Sequence, residues 1–153
     1  MSSDNLIKQT FWFLIEDYSY RYGGYAEGGS DFISTKVKIR IEPGRKTPYS
    51  YVYYIGEPDF TRLTLFEVLR YFEGKPFDHD FDAHSLGVNL NFIANIFKKH
   101  ASMISNEIDK WWLPLQLDRY HALKEEYARE GQLSIFLNNR KYLYDYLKSK
   151  GAM

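Results

Sequence analysis

The chain has 153 residues, enough to bury one core without staples. Its 20 Lys and Arg balance 20 Asp and Glu, which argues against a nucleic-acid binder. It has no Cys, which excludes disulfides, thiol nucleophiles and Cys-type zinc sites.

In chain order, residues 1–8 are polar and expected to fray. They carry no basic region followed by an apolar run, so no signal peptide is read there. Residues 10–20 are aromatic and β-prone and read as a well-covered first strand. Residues 22–30 hold Gly23, Gly24, Gly28 and Gly29 and read as a mobile loop inside a hairpin. Residues 32–41 alternate: Ile33, Thr35, Val37, Ile39 and Ile41 point one way, Ser34, Lys36, Lys38 and Arg40 the other. That period of two predicts a half-buried antiparallel strand. A turn over residues 42–48 leads to a third strand over 49–55, which Gly56 and Pro58 end.

Helical signals begin at Thr64. Thr64 and Glu67 form a capping box, with Leu63 and Val68 placed as its hydrophobic staple. Leu65, Val68, Leu69 and Phe72 share one face, and Gly74 with Pro76 stops the helix. After a loop rich in Asp and His, the spacing of Leu90, Ile93, Phe97, Ile104, Ile108 and Trp111 predicts a helix over roughly 87–111, broken near Ser102. The segment from Trp112 through Pro114 to Leu115 interrupts it. A short helix over 118–129 ends at Gly131, and a last helix bearing Leu133, Phe136, Leu137, Tyr144 and Leu147 ends at Gly151. The expected fold is α+β: an N-terminal three-stranded antiparallel meander followed by about four helices packed on one face, as one domain over 1–153. No apolar run is long enough to span a membrane, and the chain reads as cytoplasmic.

Four constellations are candidates for chemistry or binding. Asp78, His79, Asp80, Asp82 and His84 are ligand types for a divalent metal, with His79 and His84 the imidazole candidates. The segment lacks the fixed Gly and terminal Glu of a calcium loop and the helical spacing of zinc peptidases. The bland alternative is a solvated acidic loop with Phe77 and Phe81 tucked into the core. The glycines of 23–29 lack the Gly-Lys-Ser/Thr step of a phosphate loop. Lys36, Lys38 and Arg40, beside Tyr51 and Tyr53, could stack bases on a sheet face, or be no more than a solvated strand face. Trp111 and Trp112 could form an exposed apolar anchor or pin a helix end.

No catalytic or cofactor signature stands out, so a non-catalytic protein-binding domain without cofactor is the favoured reading. Aromatic residues are 18% of the chain, with 14 Tyr, 11 Phe and 3 Trp, a composition suited to contact faces. Residues 61–84 carry five acids against three bases, which favours a basic protein partner. The candidate partner surface is Asp78, Asp80 and Asp82, with Glu73 and the tyrosines Tyr22, Tyr25, Tyr51 and Tyr53. Tyr18, Tyr20 and Tyr49 belong to the same tyrosine-rich set. In size, in its order of sheet then helices, and in its acid-rich segment from Phe77 to Asp82, the chain resembles bacterial immunity proteins of contact-dependent or polymorphic toxin systems. That resemblance implies a cytosolic α+β domain that neutralises a toxin by direct binding. The alternatives are a small metal-dependent enzyme using residues 78–84 and a nucleic-acid-binding module on the basic sheet face.

Overall fold

The structure, a computed structural model, describes residues 2–153. The fold is α+β. Among the described residues it comprises seven α-helices and one five-stranded antiparallel sheet, in order β1-β2-β3-β4-β5. The chain divides into two compact units, one ending at Ile108 and one spanning Asp109–Met153.

The first unit opens on helices α1 (Ser3–Thr10) and α2 (Phe13–Tyr18). The first strand expected over 10–20 is therefore corrected, and of the terminus expected to fray, residues 3–8 lie in α1 while Met1 is outside the described residues. Ile7, Phe11 and Leu14 stand four and three apart, which is one helical face, and all three are fully buried. The flanking aromatics disguised that period as a strand apolar on both sides. Ser19 ends α2 in the left-handed region (φ 61°), and Tyr20 turns inward. Tyr20 is thus a core residue rather than one of the exposed tyrosines. Its hydroxyl meets Ser105 Oγ at 2.8 Å, and burial pushes its pKa up to about 12.

The glycine-rich stretch is not a mobile loop. It forms the strands β1 (Arg21–Ala26) and β2 (Gly29–Ile33), joined by a two-residue turn at Glu27 and Gly28. Both turn residues have positive φ (52° and 81°), as a type I′ hairpin needs. Gly23 marks a bulge in β1, where a Cβ would lie 2.8 Å from Ile33 Cδ1.

Strand β3 (Val37–Glu42) is separate from β2, which corrects the single strand expected over 32–41. Ser34 closes the turn: its amide donates to the Val37 carbonyl, and the Val37 amide donates to Ser34 Oγ. The turn changes the parity of facing. Val37, Ile39 and Ile41 are buried, whereas Ile33 pairs with Lys38 on the outer face. Strand β4 (Tyr49–Tyr54) lies where expected, and β5 (Leu63–Thr64) adds a short fifth strand. Five strands thus replace the three-stranded meander.

Helix α3 (Leu65–Glu73) starts at Thr64, whose hydroxyl accepts the Glu67 amide at 3.1 Å, and ends at Gly74 with φ 74°. Helix α4 (Leu86–Asn106) buries Leu90, Ile93, Phe97 and Ile104. The core of this unit joins the inner sheet face (Phe32, Ile39, Val52, Leu63) to these helices, with Phe11 6.2 Å from Phe32 and Phe13 5.8 Å from Phe97 between ring centres.

The long helix breaks at Glu107 rather than near Ser102. Helix α5 (Ile108–Arg129) then runs through Pro114, so the expected interruption at 112–115 is absent and the helix predicted over 118–129 is its second half. Helices α6 (Leu133–Asn139) and α7 (Lys141–Ser149) divide at Arg140 what was read as one helix. Seven helices thus replace about four. Tyr120, Phe136, Leu143, Tyr146 and Leu147 form the core of the second unit. Trp111 and Trp112 are buried, and Trp112 Nε1 donates to the Tyr146 hydroxyl at 3.2 Å, so this pair is not an exposed anchor. Among the described residues no helix is long and apolar enough to cross a membrane.

Candidate functional site

The acidic segment runs from Gly74 to Ser85, the N-cap of α4. Its residues alternate. Phe77, His79 and Phe81 are half-buried, while Asp78, Asp80 and Asp82 are exposed. The inward set joins Phe66 of α3 and Phe92 of α4 in an aromatic cluster. Phe66 meets Phe81 edge-on at 5.2 Å and Phe77 at 5.9 Å. The His79 ring lies flat on Phe92, 4.0 Å between centres and 9° between planes. Up to Asp80 the segment is extended, so the inward rings turn Asp78 and Asp80 outward, and Asp82 is exposed on the 3₁₀ turn that follows.

Asn89, fully buried on α4, locks the backbone of this loop. Its amide nitrogen donates to the carbonyls of Lys46 (2.8 Å) and Phe81 (2.9 Å), and its Oδ1 lies 2.9 Å from His79 Nε2. Two carbonyl acceptors fix the orientation of the amide, so Oδ1 must accept and His79 Nε2 must carry hydrogen. Lys46 Nζ also donates to the Asp82 carbonyl at 3.1 Å. Asp80 Oδ1 accepts the Asp82 amide and starts a short 3₁₀ turn over Phe81–Ala83. The loop therefore has fixed geometry, and the carboxylates of Asp78 and Asp82 have no ion-pair partner among the described residues.

The metal reading finds no geometry to carry it. Among the described residues no three His, Asp or Glu side chains converge on one point. His84 stacks on His79 at 4.9 Å instead of converging with the aspartates.

Glu73 is held within the protein. It accepts from His100 Nε2 at 2.8 Å and lies 3.7 Å from Lys99 Nζ, tying α3 to α4. The His100 hydrogen bond, assisted by the Lys99 charge, holds its carboxyl below the ordinary range. Of the sequence-predicted acids, Asp78, Asp80 and Asp82 share one exposed loop, and Glu73 belongs to a tether.

The outer sheet face is also committed internally. Lys38 Nζ sits 4.1 Å from the Tyr53 ring centre, and Arg62 covers Tyr51 at 4.5 Å while donating to the Tyr53 hydroxyl. Arg40 is an internal clamp: it pairs with Asp31 (3.1 Å) and Glu42 (3.0 Å) and donates to the carbonyls of Ala26 and Glu27 at the hairpin tip. Burial works against its charge, but the Glu42 and Asp31 bonds outweigh that and raise its pKa. Tyr22 packs edge-on against Phe32 at 5.4 Å on the inner face, whereas Tyr25 is exposed at the hairpin end. Of the tyrosines named from sequence, Tyr22 thus turns to the core side, Tyr51 and Tyr53 lie under cations, and Tyr25 is exposed.

Sequence reasoning missed Asn89, Lys46, Phe66 and Phe92. Asn89 had a readable signal, because it stands four residues before Ile93 on the apolar stripe of α4, where an Asn must find partners. Lys46 had none, since its tie to the loop spans more than thirty positions, Lys46 to Asp82. No protein-family model, curated protein or solved structure matches the chain.

Proposed function

We propose that this chain is a non-catalytic protein-binding domain, an immunity protein of the bacterial toxin kind, that uses the loop 77–84 to engage a basic face of its partner and occlude it. In this reading the chain acts in the cytoplasm and no cofactor takes part. One observation carries this reading: three exposed aspartates stand on a loop whose backbone is pinned by Asn89 and Lys46 and whose alternate rings are packed inward. A preformed loop loses little conformational entropy on binding, so its charge acts directly on encounter and selection. The acidic loop is favoured over the sheet face because Tyr51 and Tyr53 already lie under Arg62 and Lys38.

Affinity capture from the source organism tests the reading. The wild-type chain and a D78N/D80N/D82N variant serve as baits, with captured proteins identified by mass spectrometry. The expected result is a basic partner retained by the wild type and depleted on the variant. Equal recovery on both baits removes the loop from the function.

A further inference from the structure

The acidic loop holds two of the chain's four histidines, and their rings lie against each other. His79 is half-buried. It lies on Phe92, and Phe81 meets it edge-on at 4.5 Å. His84 is exposed just ahead of Ser85, the cap of α4, and stacks on His79 at 4.9 Å with 21° between planes. Imidazole is the side chain whose ordinary charge change falls between about pH 5 and pH 8. Residues 77–84 hold three Asp and no Lys or Arg, so their side chains sum to −3 with both rings neutral and to −1 with both charged.

The surroundings accept one proton on this pair and oppose a second. His79 already donates from Nε2 to Asn89 Oδ1, and a proton on Nδ1 strengthens that bond. A charged ring on the Phe92 face also gains a cation–π contact. Among the charged groups around the pair, Asp78, Asp80 and Asp82 of the loop favour a cation. Glu67 and Arg70 of α3, which share a groove with His79, are of opposite sign. Lys46, at the Asp82 carbonyl, and the positive end of α4 beside His84 oppose it. Two charged rings 4.9 Å apart repel, which lowers the affinity for the second proton about tenfold at an intermediate dielectric. Asn89 and Phe92 hold His79 in place, whereas no side-chain hydrogen bond ties His84 among the described residues, so His84 is the ring that moves.

We propose that His79 and His84 form a proton-operated clasp on the acidic loop: as the pH falls below neutrality the loop gains two positive charges, the stack parts at the second, and the hold on a basic partner weakens. The inference rests on the protein-binding reading above and adds the regulation of that same site.

The test follows the full chain, labelled with ¹³C at the histidine Cε1 positions, by NMR from about pH 8 to about pH 5, as wild type and as H84N. The His79 resonance should move in two steps in the wild type and in one step in H84N. Amide spectra outside residues 76–92 are checked for an unchanged fold at each pH. Tetralysine amide then serves as the basic probe, with its affinity measured by calorimetry at about pH 7.5 and about pH 5.5. Acid should weaken its binding to the wild type about tenfold and to H84N about threefold, since each added charge at an exposed site is worth about a factor of three. A single step at His79 that H84N leaves unaltered, or a wild-type affinity that falls no further than that of H84N, overturns the clasp while the loop reading stands. Tetralysine that binds D78N/D80N/D82N as well as it binds the wild type removes the loop reading, and the clasp's role with it.

Discussion

Replacing Asn89 by Ala probes the joint that holds the acidic loop in shape. The change removes three hydrogen bonds: two from the amide nitrogen to the carbonyls of Lys46 and Phe81, and one between Oδ1 and His79 Nε2. A typical internal hydrogen bond contributes about 1 kcal/mol net, and a group left buried without a partner costs about 1–3 kcal/mol. Lys46 is exposed and Phe81 half-buried, so their carbonyls regain some water and the lower figure applies to each. The expected loss for N89A is therefore about 3 kcal/mol. N89D is nearly the same size but turns both donors into acceptors facing two carbonyl oxygens, so it must cost more than N89A. Urea denaturation followed by segment-resolved hydrogen exchange is the assay. Protection should fall first in residues 76–92, with the outer strands affected later. A loss below about 0.5 kcal/mol for N89A, or N89D as stable as the wild type, would refute the claim that Asn89 organises the loop.

Other outcomes follow from the same physics. Glu27 sits at φ 52° in the hairpin turn, so E27N should stabilise the chain by about 0.5–1 kcal/mol and G28A destabilise it by about 1–2 kcal/mol, read by urea midpoints. Glu73 has its carboxyl lowered first by His100, so it adds stability above its ordinary value of 4.5, lost as pH falls through the lowered pKa. E73Q should therefore narrow the stability difference between pH 6 and pH 3. Tyr20 is raised from 10.0 to about 12, so it stabilises the neutral fold below pH 10 and that contribution is lost as pH rises through about 12. In an alkaline absorbance titration Y20F should remove a late step, and it should cost about 1 kcal/mol at neutral pH through the lost Ser105 bond.

What could be read from the sequence divides along physical lines. Short-range signals were legible: the Thr64 cap, the Gly74 stop, the strand at β4 and the inward turn of Phe77 and Phe81 from a solvated acidic loop. Errors arose where two periods overlapped. Ile7, Phe11 and Leu14 carry a helical face, but Trp12, Phe13 and Ile15 between them mimic a strand. The two-residue turn at Thr35 and Lys36 left the β-branched run unbroken in sequence while reversing the chain in space. Pro114 was read as a breaker, yet α5 continues through it. At the site, the exposed aspartates were visible from spacing. The ties through Asn89 and Lys46 and the engagement of Glu73 with His100 depend on tertiary neighbours that no local pattern encodes.

The central claim is that the fixed acidic loop binds a basic partner through its charge. The most direct measurement is the dissociation constant of the captured partner for wild type and for D78N/D80N/D82N, each at low and at physiological salt. The wild type should bind more tightly, by about tenfold or more, with the gap shrinking as salt screens the loop. Equal constants for the two proteins at both salt concentrations would contradict the account.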